Sequence, residues 1–242
     1  MDPEKSVAVV VGSTGGIGAA LVEQLAASAR YSTVLALSRG PAELPDVSIT
    51  RGYVDVTDEH SVRSAASQAA GLGVVRLVVV ASGLLRAADA SPEKSWTGID
   101  PTAMARLFAV NTIGPALIAK HFLPLIPAKG RSIFAVLSAR VGSIQDNQLG
   151  GWHSYRASKA ALNMLVRNFG IELVRRSPEA ICIALHPGTV DTALSKPFQR
   201  GVRPDRLFSP ARAAGYLLAV VENAQAADNG GVFAWDGARV PA

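Results

Sequence analysis

A serine, a tyrosine and a lysine that could together transfer a proton lie near the middle of the chain, at Ser138, Tyr155 and Lys159. Tyr155 and Lys159 are four residues apart at the start of a predicted helix, so their side chains share one helix face. A free phenol titrates near ~10 and exchanges protons poorly at neutral pH, but a cation beside it favours the phenolate. With a serine hydroxyl directed at the same substrate oxygen, the three groups predict carbonyl or alcohol chemistry.

The elements around these residues must bring them together, because the tyrosine–lysine spacing alone also fits a half-buried tyrosine beside a solvated lysine. The apolar run at 133–137 predicts a buried strand that ends at Ser138. After a long loop, a helical pattern covers about 153–176 and carries Tyr155 and Lys159 in its first turns. The strand end and the helix start are therefore the elements expected to position the site.

The N-terminal part of the chain predicts a phosphate-binding turn. Residues 7–11 form a β-branched and alanine run that is typical of a strand buried on both faces. A glycine-rich stretch at 12–18 follows, and then a helical pattern at 19–29. Glycines at such a turn let the backbone approach a pyrophosphate, which the helix N-terminus stabilises. An ordinary glycine loop is the alternative, and the flanking strand and helix favour phosphate binding.

The end of the second predicted strand, at 33–37, bears on cofactor choice. In a dinucleotide fold this position faces the adenosine ribose, where an acidic residue selects NAD and an arginine accommodates a 2′-phosphate. Ser38 and Arg39 stand here, and neither is acidic. The pattern predicts a preference for NADP, with NAD as the other cofactor to consider; the alternative is that Arg39 is simply a solvated loop residue.

Strands and helices continue to alternate along the rest of the chain. Asn111 and Gly114-Pro115 interrupt one helical pattern and predict a local irregularity there. The alternation predicts one doubly wound, Rossmann-type α/β domain over 1–242, with a parallel sheet flanked by helices. The further predicted elements are a strand ending at 53–54, a helix capped by Asp58 through about 70, a strand at 74–80, a helix at 101–125, a strand at 181–185, a helix at 211–221 and a strand at 232–235.

Composition excludes several classes of function. The single cysteine, Cys182, rules out an internal disulfide and suits a reducing compartment. Lys and Arg number 24 against 19 Asp and Glu, but no block of like charge marks a nucleic-acid surface. The N-terminus lacks the positive region of a secretory signal, and no segment has the ~18 uninterrupted apolar residues of a membrane span. We therefore expect a soluble, cytoplasmic protein.

A substrate loop is predicted at about 190–209. This stretch is polar and carries four basic residues without a helical pattern: Lys196, Arg200, Arg203 and Arg206. It could be a lid that orders over bound cofactor and substrate, or a solvated loop whose charges serve solubility. Both interpretations stay open from the sequence.

Several of these residues stand in an order and spacing that resemble the classical type of the short-chain dehydrogenase/reductase family. The resemblance covers nearly the whole chain, and the joint pattern is specific. Segments at 141–144, 149–152 and 233–237 resemble the branch that contains the bacterial C-factor-type proteins. The residues that carry the family resemblance are Gly12, Gly16, Gly18, Asn111, Ser138, Tyr155, Lys159, Pro187 and Gly188.

The resemblance implies a role for each matching position. Tyr155 would be the general acid/base, and Lys159 would lower its pKa and hold the nicotinamide ribose. Ser138 would orient the substrate oxygen, and Asn111 would anchor a water that links Lys159 to solvent. The implied cofactor-binding residues are Gly12, Ser13, Thr14, Gly16, Ile17 and Gly18, with Gly12, Gly16, Ile17 and Gly18 at the pyrophosphate; Ser38 and Arg39; Asp55 and Val56 at the adenine; Ala81, Ser82 and Gly83; Asn111, Tyr155 and Lys159; Pro187 and Gly188; and Val190 and Thr192 at the carboxamide.

The chain departs from the family pattern in three places. Val80-Ala81-Ser82-Gly83 replaces the usual Asn-Asn-Ala-Gly, so an asparagine that bonds across the sheet is missing. Ser138 and Tyr155 are further apart than usual, which reshapes the pocket rim where Trp152 and His153 could touch substrate. Val11 replaces the usual threonine before the first glycine.

The function expected from this resemblance is an oxidoreductase that moves a hydride between NADP(H) and a carbonyl or secondary alcohol of a small molecule. His153 and His186 have no ligand-spaced partners, so no metal is expected. We expect no nucleic-acid or membrane partner, and a homo-oligomer, dimer or tetramer, because family members usually pair through long helices. The alternative function is a dinucleotide-binding signalling or regulatory protein with incidental turnover, because the C-factor-type branch is associated with intercellular signalling.

Overall fold

The computed structural model describes residues 5–40, 49–86 and 91–241. Strands and helices alternate in these ranges, as the sequence predicts. The elements are β1 Ser6–Val11, α1 Gly16–Ala27, β2 Thr33–Ser38, β3 Ile49–Tyr53, α2 Glu59–Leu72, β4 Val74–Val80, α3 Pro101–Phe108, α4 Gly114–Phe122, β5 Ser132–Leu137, α5 His153–Arg176, β6 Ala180–His186, β7 Thr189–Val190, β8 Leu207–Phe208, α6 Pro210–Asn223 and β9 Val232–Ala234.

Seven strands form one parallel sheet in the order β3-β2-β1-β4-β5-β6-β9. The predicted Rossmann-type α/β fold is confirmed. The strand order reverses direction between β1 and β4, because the chain first builds outward on one side of β1 and then on the other. Such a switch point leaves a crevice at the carboxyl ends of the strands, which is where open α/β sheets bind ligands.

Two apolar layers hold the helices against the two faces of the sheet. On one face, α2, α4 and α5 contribute buried side chains that include Val62, Phe122 and Leu162. On the other face, α1 and α6 contribute Leu21 and Leu217, both almost completely buried. Burial on both faces explains why the central strands read as continuous apolar runs rather than alternating ones.

The irregularity predicted near Asn111 is confirmed. Residues Ala109–Ile113 form a π-helical segment between α3 and α4. Pro115 has no N–H to give to the Asn111 carbonyl, so a regular α-helical ladder cannot continue through this point. The whole run Pro101–Leu125 is long and apolar enough to span a membrane by length and composition. Within this run, Ile118 and Phe122 are buried against the sheet.

Two predicted boundaries differ from the structure. Helix α1 begins at Gly16, inside the glycine-rich stretch, rather than at residue 19. The 193–209 stretch contains two single 3₁₀ turns, Lys196–Phe198 and Pro204–Arg206, and then β8, which pairs with β7. Turns of three residues are too short to leave a periodic apolar pattern, so the sequence gives no signal for them.

Candidate active site

A cavity of about 930 Å³ opens where β1, β2, β4 and β5 end. It collects most of the residues that the sequence predicts for cofactor binding and catalysis. Among the described site residues, Ser13, Asn111, Gly188 and Val190 lie outside its lining. The predicted residues that line it are Gly12, Thr14, Gly16, Ile17, Gly18, Ser38, Arg39, Asp55, Val56, Ala81, Ser82, Gly83, Ser138, Tyr155, Lys159, Pro187 and Thr192.

The glycine turn between β1 and α1 forms the floor of this cavity. Gly12 has a φ of +86°, and a Cβ at this position would lie 2.8 Å from the Ser82 backbone nitrogen. A Cβ on Gly18 would overlap the Gly12 carbonyl oxygen, so only glycine fits there. Helix α1 has no side-chain cap, and its first backbone N–H groups have no acceptor within the helix. This end of α1 is therefore suited to bind an anionic phosphate group.

The ends of β2 and β3 form the side of the cavity predicted to face the adenosine. Ser38 is buried and donates its hydroxyl to Gly40 O at 2.6 Å, whereas Arg39 is exposed at the cavity wall. Asp55 accepts hydrogen bonds from the Thr57 hydroxyl at 2.7 Å and the Thr57 backbone N–H at 2.9 Å. These bonds, the side-chain bond above all, hold the pKa of Asp55 below its usual value. The carboxylate is thus fixed in an ionised form at this wall.

Ser138 and Lys159 are brought together by β5 and α5. Ser138 follows the last residue of β5, its backbone N–H donates to Leu185 O at 2.8 Å, and only 4% of it is exposed. Lys159 is 3% exposed and donates from Nζ to Leu137 O at 2.8 Å. Its ammonium lies 5.9 Å from the centre of the Tyr155 ring. The three predicted catalytic side chains therefore share one wall of the cavity.

The protonation of Tyr155 differs from the expectation that Lys159 would lower its pKa. Burial raises the pKa of Tyr155 to about 12, and burial lowers the pKa of Lys159 to about 8. Desolvation disfavours the charged form of each group, the phenolate of Tyr155 and the ammonium of Lys159. At neutral pH Tyr155 is therefore a protonated phenol, the form that can donate a proton to a carbonyl oxygen.

Asn111 is fully buried and acts on the site through its hydrogen bonds. Its Oδ1 accepts from the Leu84 backbone N–H at 2.8 Å, and its Nδ2 donates to Leu84 O at 2.7 Å and to Ser158 Oγ at 3.1 Å. Ser158 lies between Tyr155 and Lys159 on α5. The side chain therefore ties the loop after β4 to the catalytic helix. A water held by Asn111, as predicted, would have to donate to its backbone carbonyl, which receives no hydrogen bond from Pro115 because proline lacks an N–H.

Three other predicted cofactor residues point away from the cavity lining. Ser13 is almost completely buried, and its hydroxyl has no hydrogen-bond partner among the described residues. Val190 packs with Phe208 in a small apolar cluster. A Cβ on Gly188, which has a φ of +75°, would lie 2.8 Å from the Phe208 ring. Any contact of these three positions with a cofactor would have to come from their backbone or from a hydroxyl that turns.

Glu93 is a positioning residue that the sequence analysis missed. Helix α5 begins after Trp152, which has a left-handed φ of 51° and supplies no side-chain cap. Glu93 supplies the cap from another loop: its carboxylate accepts from the backbone N–H and the hydroxyl of Ser154, and its carbonyl accepts from Trp152 N. A carboxylate at a helix N-terminus is stabilising. No sequence signal links these residues, because they are 61 positions apart.

The predicted substrate rim is partly assembled. The Trp152 ring meets the Tyr155 ring edge-on at 6.2 Å and the Phe198 ring at 5.2 Å. Phe198 belongs to the basic 193–209 stretch, so that stretch contacts the rim of the site. Its charges are partly paired within the stretch, since Arg203 bonds Asp205 at 3.0 Å. Leu194, which lies in the predicted substrate loop, and Arg106, which was not predicted, also line the cavity.

The two histidines near the site show no metal-binding arrangement. Burial, with a smaller effect of the Arg140 charge, lowers the pKa of His186 to about 4, so His186 is neutral at physiological pH. His153 has a buried Nε2 without a hydrogen-bond partner in the described residues. No group of three or more His, Cys, Asp or Glu side chains within the described ranges could hold a metal ion.

Comparisons with known proteins agree with this geometry. The profile of a family described as short chain dehydrogenase matches residues 6–202. The 1-hydroxy-2-glutathionyl-2-methyl-3-butene dehydrogenase of Rhodococcus sp. (strain AD45) is 31% identical over 220 residues, covering 90% of this chain and 91% of that protein. The C-signal protein of Myxococcus xanthus is 32% identical over 143 residues, 59% of this chain and 81% of that protein. The NADPH-bound carbonyl reductase from chicken fatty liver is 27% identical, with a TM-score of 0.83 over 99% of both chains.

Proposed function

The chain belongs to the short-chain dehydrogenase/reductase family and is an NAD(P)-dependent oxidoreductase, and from this premise we propose that it uses NADP(H) to interconvert a carbonyl and a secondary alcohol on a small molecule. The observation that carries the proposal is the single cavity that joins the glycine turn to Ser138, Tyr155 and Lys159. The names of two similar proteins support it, since one is a dehydrogenase and the other an NADPH-bound carbonyl reductase.

The residues present fit a dinucleotide. The glycine turn is held tight by Gly12 and Gly18, where a Cβ would collide with the Ser82 and Gly12 backbones, and the adjacent Ser13 and Ser82 hydroxyls are buried without partners among the described residues. The turn and the N-terminus of α1 would hold the pyrophosphate, and Arg39 would meet the 2′-phosphate that distinguishes NADP from NAD. When bound, the dinucleotide supplies or accepts the hydride.

The protein side chains would manage the proton and the substrate oxygen. In reduction, Tyr155 donates its phenolic hydrogen to the carbonyl oxygen, since its raised pKa keeps it protonated at neutral pH. Losing that proton leaves a phenolate, which the nearby Lys159 ammonium stabilises. Ser138 holds the substrate oxygen at the cavity wall. In oxidation the same groups act in reverse, and Tyr155 receives the proton of the alcohol.

The test is turnover of NADPH with a panel of ketones and aldehydes, comparing the wild type with Tyr155→Phe. This change removes only the hydroxyl, so NADPH binding should persist while turnover falls by roughly 10²-fold or more. Tyr53→Phe is the matched control, because Tyr53 is 60% exposed. Turnover by Tyr155→Phe within a few-fold of the wild type would remove Tyr155 from the proposed role.

A dinucleotide-binding signalling protein is the second candidate, favoured by the similarity to C-signal. The two functions make different demands on the site. A protein that only binds a dinucleotide needs the glycine turn, but it has no physical need for the whole set of Asn111, Ser138, Tyr155 and Lys159. Tight NADPH binding without turnover on any carbonyl of the panel would favour signalling.

We also propose a cytoplasmic homo-oligomer built from one domain over 1–242. The single cysteine suits a reducing compartment. Helix α5 exposes Met164, Ile171 and Val174, and the spacing of Met164 and Ile171 places them on one side of the helix. Ile113 of the π-helical segment is also 53% exposed. An apolar surface of this kind suits a second copy of the chain; light scattering that gives the mass of a monomer would contradict this.

A further inference from the structure

Ser138 does not direct its hydroxyl hydrogen into the cavity. Its Oγ donates to Oδ1 of Asn163 at 2.6 Å, and the carbonyl oxygen of an amide can only accept. In this arrangement the serine offers lone pairs, not a hydrogen, to any group beside it. A carbonyl substrate, which can only accept, would gain no hydrogen bond from Ser138. The role proposed for Ser138 in reduction therefore needs a different orientation of this pair.

Asn163 contains the group that permits the other orientation. Its Nδ2 is buried and has no hydrogen-bond partner among the described residues. A buried amide N–H without a partner is rare, because it loses its bonds to water and gains nothing in return. The oxygen and nitrogen of a side-chain amide exchange places when the group makes a half-turn. After that turn Nδ2 lies at hydrogen-bond distance from Ser138 Oγ and donates to it.

We propose that Asn163 is a positioning residue that sets the direction of the Ser138 hydroxyl hydrogen, an inference that rests on the function proposed above. With Nδ2 donating to Oγ, the serine hydrogen points to the substrate oxygen, where negative charge grows as hydride arrives. With Oδ1 accepting, the serine can accept a hydrogen bond from an alcohol substrate. An amide serves both states because it carries a donor and an acceptor on one rigid group.

The sharpest test replaces Asn163 with two residues of similar size. Asn163→Asp keeps the shape and the acceptor but removes the donor. The Ser138 hydroxyl therefore keeps donating its hydrogen bond to the side chain at 163 instead of to the substrate. Asn163→Leu removes both groups and leaves the serine free to turn. We expect kcat/KM to fall by about 10²-fold or more for Asp, as for loss of one oxyanion donor. For Asn163→Leu we expect kcat/KM to fall by only about 10-fold, the effect of losing one neutral hydrogen bond.

A larger fall in kcat/KM for Asn163→Asp than for Asn163→Leu is the reverse of what a purely structural role predicts, because Asp fits the wild-type contacts better than Leu does. Reduction and oxidation share one transition state, so kcat/KM in both directions should fall together for each variant. The dissociation constant for NADPH should stay within about 2-fold of the wild type. Asn168→Asp is the matched control, since Asn168 is exposed on the same helix.

A double-mutant cycle with Ser138→Ala separates this mechanism from an effect on Lys159. Lys159 lies one helical turn before Asn163, so an aspartate at 163 could instead pair with that ammonium. If Asn163 acts through Ser138, adding Asn163→Asp to Ser138→Ala should cost less than about 3-fold more. If it acts through Lys159, the full loss should persist in the double variant, which would overturn the proposal. Should Asn163→Asp not fold, the same cycle with Asn163→Leu decides by the same criterion.

The outcomes separate this inference from the proposed function. A larger fall in kcat/KM for Asn163→Asp than for Asn163→Leu supports the role of Asn163, provided that the Asp change has little further effect in the Ser138→Ala background. A wild type that turns over carbonyls while Asn163→Asp matches it, or loses less than Asn163→Leu, overturns the inference and leaves the proposed function intact. A wild type that turns over no carbonyl overturns both.

Discussion

Replacing Asn111 should weaken both the fold and the site. The side chain is fully buried and makes three hydrogen bonds, two to the backbone of Leu84 and one to Ser158. Asn111→Ala leaves the Leu84 N–H and C=O without these partners, at a cost of about 1–3 kcal/mol for each group if buried. Leu84 is only partly buried, so the lower half of that range applies, and Ser158 keeps its bond to Tyr155 O at 2.8 Å.

The expected loss in the free energy of unfolding is thus roughly 2–4 kcal/mol for Asn111→Ala. For a chain of this length, that corresponds to a Tm lower by about 4–16 °C. Asn111→Asp should cost at least as much, because its carboxylate would place an oxygen against Leu84 O at a position where the side chain itself is fully buried. Urea unfolding followed by circular dichroism measures the first quantity, and a thermal melt checks the second.

Asn168→Ala is the matched control, since this exposed asparagine on α5 should change stability by no more than about 0.5 kcal/mol. Turnover of the folded Asn111→Ala protein should also fall, because Ser158 lies between Tyr155 and Lys159. An Asn111→Ala protein as stable as the Asn168→Ala control would refute the reasoning, since it would mean that the Leu84 backbone groups find water or another partner at no cost.

Three further predictions concern the cofactor, pH and the basic stretch. Arg39→Ala should weaken NADPH binding by about 10- to 150-fold through loss of one charge-assisted bond and leave NADH binding nearly unchanged; equal losses for both would contradict 2′-phosphate recognition. The rate of carbonyl reduction should fall as pH rises through about 8, where buried Lys159 loses its charge, and Lys159→Arg should remove that fall; a flat wild-type profile from pH 7 to 10 would argue against it. Proteolysis near Arg200 and Arg203 should slow at saturating NADP if the stretch is a lid, whereas unchanged cleavage would favour a solvated loop.

The sequence alone determined the order of the elements and most of the cavity. Continuous or alternating apolar runs and runs with a 3.6-residue period are local properties of the sequence, so the alternation of strands and helices could be predicted from them. The glycine turn was predictable because glycine allows the Gly12 conformation that other residues rarely adopt. Tyr155 and Lys159 share a helix face by their spacing alone, and Pro115 marks the π-helical segment because it lacks a backbone N–H.

Only the tertiary structure decided which groups meet across elements and how burial changes their protonation. Glu93 caps α5 from a distant loop, and Asn163 receives the Ser138 hydrogen because the fold brings the end of β5 against α5. Neither pair leaves a periodic pattern, since their separation in sequence depends on loop lengths. The pKa of Tyr155 rises because the packed fold excludes water from the phenol. How much water surrounds a side chain cannot be predicted from the residues next to it in sequence.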